Sequence, residues 1–199
     1  MKCLILYDSM GGNTEKVANC INDTLDKTTH EVDLMKFDPD IDVDLFKYEL
    51  VFIGSPVIDW LPTKRMMELV KKKLKLYSKQ GMIKPSSPIK PNKYGICFCT
   101  YGGPHIGVNE ALPMTMWLRS FLEHLGFAVL DQWHIVGQFH KETDMNTHGR
   151  LGNILGRPND ADLLKVENKT KGFLGALEGL MKGKTDEIKQ NVRCFECAD

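Results

Sequence analysis

Neither sign of charge is in excess: 26 Lys and Arg stand against 26 Asp and Glu. A chain without a net field is not drawn to nucleic acid or to an anionic membrane surface, so neither is expected as a partner. Long apolar runs are missing too, and with them any candidate transmembrane helix. The opening "MKCLILYDSMGG" passes from a short apolar run straight into a turn, with no cleavage region, so no secretory signal is expected. Cysteine is scarce. Six in 199 residues are too few for a disulfide scaffold, and reduced thiols in a cytoplasmic protein are the expectation. No internal repeat is present.

What remains is an ordinary globular composition, 42% hydrophobic and 26% charged, long enough for one well-buried domain. Residues 1–182 are read as that domain and 183–199 as a loosely held polar tail. "KCLILY" (2–7) is continuously apolar, the pattern of a strand buried on both faces. Val17, Ile21 and Leu25 then recur every fourth residue, with Ala18 beside them, predicting a helix over 14–26. Further strands are predicted within 30–37, 50–53, 94–99 and 127–139, the last with a break in it. Helices are predicted from a Thr63 cap with Met66, Leu69, Val70 and Leu74 inward, over 112–125, and from Asn159 or Asp160 onward. The inner face of the last helix is Leu163, Val166, Thr170, Phe173, Leu177 and Leu180. Such alternation folds as a parallel sheet with helices on both sides, and ligands then bind beyond the carboxyl ends of the strands.

Three loops have that address: 8–14, 54–62 and 100–108. The first, "DSMGGNT", opens a helix, whose free N–H groups and dipole attract a phosphate. Gly11 and Gly12 let the backbone curl close to it, and Ser9, Asn13 and Thr14 add neutral hydrogen bonds. No Lys or Arg lies within 9–14, which suits a monoester phosphate better than a triphosphate with magnesium. Neither G-x-x-x-x-G-K-[ST] nor G-x-G-x-x-G is present. An aspartyl-phosphate receiver is also excluded, because the third strand ends in Gly54-Ser55 without an acceptor Asp.

Together, "SMGGNTEKVA", "GSPVIDWLPTKRMME" and "TYGGPH" resemble the flavodoxin family. Ser9, Gly12, Asn13 and Thr14 match that family's phosphate loop. Gly11 replaces a hydroxyl residue and, with Ser9-Met10, leans toward quinone reductases related to the tryptophan-repressor-binding protein. The resemblance reaches to about residue 162. It implies a doubly wound α/β sandwich with a five-stranded parallel sheet of order 2-1-3-4-5, and FMN as cofactor. Carried over by position, Ser9, Met10, Gly11, Gly12, Asn13 and Thr14 would hold the FMN phosphate. Pro56, Val57, Ile58, Asp59 and Trp60 would flank one side of the isoalloxazine, and Thr100, Tyr101, Gly102 and Gly103 the other. Trp60 and Tyr101 offer stacking surfaces. No protein side chain is expected to be catalytic, since the flavin carries the chemistry.

Two functions follow from the resemblance. One is an FMN-dependent oxidoreductase passing electrons from NAD(P)H to a quinone or similar acceptor, in a homodimer or homotetramer. The other is a non-enzymatic flavodoxin-type carrier between protein partners. The electroneutral chain favours the first, because carriers of that family are usually strongly acidic. Cys97 and Cys99 are read as core on one strand face, the Cys194/Cys197 pair as a weak metal candidate, and "KKKLKL" (71–76) as a solvated helix face. His105, His134, His140 and His148 are read as surface or loop residues. The segment 140–157 is longer than a connection needs and is expected to be functional or interfacial.

Overall fold

The computed structural model describes residues 1–26 and 30–196, with 180–196 as backbone. Five strands, β1 (Lys2–Tyr7), β2 (Glu31–Lys36), β3 (Leu50–Pro56), β4 (Tyr94–Tyr101) and β5 (Ala128–Val136), form one parallel sheet of order β2-β1-β3-β4-β5. The fold class implied by the sequence is the one observed. Five helices accompany them: α1 (Asn13–Asp26), α2 (Lys64–Lys79), α3 (Leu112–His124), the short α4 (Thr143–Thr147) and α5 (Asp160–Glu196).

The sheet divides two cores. Leu4, Leu6, Val51, Ile53, Cys97 and Cys99 pack with Met66, Val70, Met114 and Leu118 of α2 and α3. On the other face Cys3, Ile5, Phe52, Ile96 and Phe98 meet Val17, Ile21, Leu25, Val166 and Leu174 of α1 and α5. This is why β1, β3 and β4 read as unbroken apolar runs: each needs both faces apolar. Cys97 and Cys99 are both wholly buried, and burial pushes both thiols up.

Local signals act where expected. Thr63 caps α2 by accepting from the Met66 N–H at 3.2 Å. Gly126 follows α3 with φ +87°, the left-handed turn that glycine adopts without strain. Three expectations change. Within "KKKLKL", Lys73 is buried rather than solvated, with its Nζ 3.3 Å from the carboxylate of the exposed Asp42. β5 is one strand rather than two, irregular only opposite Gly95 and Ile96, and it ends at Val136, before the predicted Phe139. Residues 183–196, expected as a loose tail, continue α5. The run 184–196 holds neither glycine nor proline to stop the helix. The thiols of Cys194 and Cys197 lie outside the described residues. No helix among the described residues is long and apolar enough to cross a membrane.

The winding reverses between β1 and β3. From β1 the chain turns outward to β2, then returns to β3 and proceeds to β4 and β5. The carboxyl ends of β1, β3 and β4 therefore open onto a shared crevice. The ladder continues beyond the strands: the Asp8 N–H donates to the Gly54 carbonyl at 3.0 Å, and the Val57 N–H to Thr100 at 2.9 Å.

Candidate functional site

The loop between β1 and α1 is organised by one hydroxyl. Ser9 Oγ accepts from the N–H groups of Gly12 at 3.1 Å and Glu15 at 3.3 Å, so this side chain faces back to its own helix. Gly12, at φ +92°, makes the turn. Among the described residues, nothing accepts from the backbone N–H groups of Met10, Gly11, Asn13 and Thr14. All four residues line a cavity of about 190 Å³. Unpaired amides around a turn at a helix N-terminus form a concave positive site for an anion.

The rest of that cavity comes from the neighbouring loops. Pro56, Val57 and Ile58 form one wall, and Thr100, Tyr101 and Gly102 another. Thr14 Oγ1 and Thr100 Oγ1 lie 2.8 Å apart, both buried, and join the first loop to the third. A second cavity, of about 300 Å³, continues along the crevice past Val57, Asp59, Trp60, Tyr101, Gly102 and Gly103. Of the residues expected at the site, thirteen line one or both cavities. Gly12 only shapes the loop. Ser9 lines a separate groove, with Lys36, Lys64 and Arg65.

Trp60 and Tyr101 differ. Tyr101 is nearly buried, and burial raises its phenol above the ordinary range. Trp60 is 58% exposed at the tip of a tight hairpin, where Ile58 and Leu61 exchange hydrogen bonds of 2.9 Å in both directions. The two tip residues, Asp59 and Trp60, have φ of +48° and +66°. Such a turn is normally filled by Asn and Gly, and a bulky residue there is strained. Strain held at a cavity rim places the indole over the crevice at a cost to the turn.

Beneath the first loop lies a charged cluster that the sequence reading missed. Asp8 is buried, its carboxylate held by Arg65 through Nη2 at 2.6 Å and Nε at 3.2 Å. The Ser9 N–H donates to it at 2.8 Å, and the Thr63 hydroxyl makes a short bond to Oδ2. Ser55 Oγ accepts from the Thr63 N–H at 3.1 Å. The end of β1, the end of β3 and the cap of α2 are thus tied together below the cavity.

The fourth wall was also missed. Gly137, Gln138, Phe139 and His140 leave β5 and cross the crevice mouth. The only sign of this in the sequence is the excessive length of 140–157. That segment folds back through α4 onto the third loop, where the Arg150 N–H donates to the Pro104 carbonyl at 2.8 Å. The carboxylate of Asp162 anchors its far end. Burial alone would raise that carboxyl, but hydrogen bonds from Arg157 and from the Asn159 N–H outweigh it and hold it below the ordinary range. Among the histidines, His140 lines the crevice, and burial lowers His134, whose Nε2 lies 2.8 Å from Thr115 Oγ1. Among the described residues no group of His, Cys, Asp and Glu is placed to hold a metal.

Residues 4–93 match a family model described as a flavodoxin domain. The fold is flavodoxin-like. Solved structures agree on that fold. Oxidised flavodoxin 1 from Bacillus cereus superposes with a TM-score of 0.62 at 17% identity, over 88% of this chain and 98% of that one. A WrbA-like flavodoxin from Agrobacterium tumefaciens gives 0.55 at 12% identity, over 85% and 92%. Rubredoxin oxygen:oxidoreductase from Desulfovibrio gigas gives 0.55 at 18%, over 89% of this chain but 36% of its own. No curated protein sequence matches the chain.

Proposed function

We propose that this flavodoxin-like chain binds FMN and works as an oxidoreductase, passing electrons from NAD(P)H to a quinone or similar acceptor. The observation that carries the flavin reading is the set of unpaired amides at Met10, Gly11, Asn13 and Thr14. They open onto the same crevice that passes between Trp60 and Gly103. The donors are neutral, numerous and clustered, as a monoester phosphate requires. The N–H groups of Gly102 and Gly103 also have no acceptor among the described residues and suit the polar edge of a ring. A bound flavin supplies reversible electron uptake; the protein positions it and limits its contact with water.

The enzyme reading is supported by the balanced charge and by an open rim, where Met10 is 69% and Trp60 58% exposed. A small acceptor can approach such a rim directly. The same apolar rim equally suits a protein partner, so the carrier is the second reading. One assay separates them. Purified protein loaded with FMN is mixed with NADH or NADPH, with and without a soluble benzoquinone. Nicotinamide oxidation that depends on the quinone is the expected result; its absence, with flavin bound, leaves the carrier. Assembly as a homodimer or homotetramer belongs to the same proposal.

Trp60→Gly separates the two duties of the hairpin tip. Removing the indole relieves left-handed strain worth about 1 kcal/mol, so the melting temperature is expected to rise by roughly 2–4 °C. FMN affinity should fall by about 1 kcal/mol with loss of the stacking surface. Calorimetry and a flavin titration on one preparation read both. A fall in both quantities would mean that the indole supports the fold rather than the ligand.

A further inference from the structure

Gly102 and Gly11 are bare where two side chains of the crossing segment already rest. A Cβ on Gly102 would stand 2.0 Å from Cε2 of Phe139, and one on Gly11 would stand 2.0 Å from the His140 ring. Phe139 lines both cavities, the one beside the unpaired amides and the one beside Trp60. It stands where the two meet. Separately, at about 190 and 300 Å³, neither exceeds the lower end of the roughly 300–1,000 Å³ that cofactor-sized ligands occupy. A molecule reaching from the amides to Trp60 must pass the Phe139 ring.

The main chain there is fastened. Asn146, a buried residue of α4, accepts from the Phe139 N–H through Oδ1 and donates to its carbonyl through Nδ2, each at 2.8 Å. Gln138 donates its N–H to the Arg157 carbonyl at 2.9 Å and accepts from Asn13 Nδ2 at 2.8 Å. Asn146 thus serves Phe139 as a neighbouring strand would, with both backbone groups satisfied. The ring itself is half-buried against a glycine. Turning it about Cα–Cβ breaks none of these bonds, whereas moving the segment breaks all of them.

We propose that the Phe139 side chain is a gate. Seated on Gly102 it divides the crevice, and turned aside it joins the two halves into one groove for FMN. The proposal rests on the flavin reading above. Rotation of a side chain is fast compared with encounter, so the gate acts as a population factor. Association is slowed by the fraction of molecules open, the dissociation constant rises by the same factor, and dissociation is unchanged. Burial of about half a phenyl ring sets that factor near tenfold.

Stopped-flow quenching of FMN fluorescence, run on apoprotein with Phe139, Phe139→Ala and Phe139→Leu, tests it. Phe139→Ala is expected to bind FMN about tenfold faster and about tenfold more tightly, with an unaltered dissociation rate. Phe139→Leu keeps an apolar side chain under the Asn146 clamp and is expected to fall between the two. Identical rate constants in all three proteins would overturn the gate and leave the flavin reading intact. Faster dissociation with unchanged association would also overturn it, making Phe139 a fixed wall of the flavin site. Failure of all three folded proteins to bind FMN would remove the flavin reading and the gate together.

Discussion

FMN is expected to bind about a thousandfold more tightly than riboflavin, which has the same ring and ribityl chain without the phosphate. The first loop is where the two ligands differ. Its unpaired amides at Met10, Gly11, Asn13 and Thr14 have only water to satisfy them until an anion arrives. A hydrogen bond to a charged group contributes roughly 1.5–3 kcal/mol net, and the helix end adds to it. Two such bonds, at about 2 kcal/mol each, already correspond to a factor near 10³. With no Lys or Arg in 9–14, the effect depends little on salt: fixed amides, rather than mobile cations, supply the field. Titrations with both flavins at low and high ionic strength measure it. Equal affinities would place the phosphate outside this loop.

The second large effect is on stability. Asp8→Ala is expected to cost roughly 3 kcal/mol and to lower the melting temperature by about 6–12 °C. The carboxylate is buried and is the common acceptor for Arg65, Thr63 and the Ser9 N–H. Its loss leaves the Thr63 hydroxyl and the Ser9 amide without that acceptor, and both residues are buried. Arg65 suffers less, because its side chain is half exposed and can hydrate. The double variant with Arg65→Ala should therefore melt close to Asp8→Ala alone. A change below about 1 kcal/mol would mean that the three attachments are made equally well without the carboxylate.

Much of this architecture could be read from the chain, and the reason differs by element. The bounds of β1 were legible because a strand buried on both faces is a continuous apolar run with polar ends. Thr63 was legible because a hydroxyl before an apolar helical stripe has one obvious use. The three loops were legible because glycine and proline mark them. Asp8 was not, since an acidic residue after a strand reads as a turn and its partners stand far along the chain at 63 and 65. Lys73 sits within a run of lysines whose neighbours are exposed, and its partner Asp42 stands far back in the chain. Ser9 reads as a phosphate-loop hydroxyl, and nothing local shows that it also accepts from two helix amides. Phe139 was drawn into β5 because its apolar character continues that strand. What ends the strand is Asn146 and the Arg157 carbonyl, and neither is visible locally.

The hairpin that lifts Trp60 gives the protein an optical reporter. The chain has three tryptophans; Trp133 is enclosed between sheet and helix, Trp117 is partly covered, and Trp60 alone stands mostly in water. Emission that dissolved iodide extinguishes therefore comes chiefly from the lip of the crevice. Arrival of a guest beneath that lip registers as shielding from the quencher, without any label.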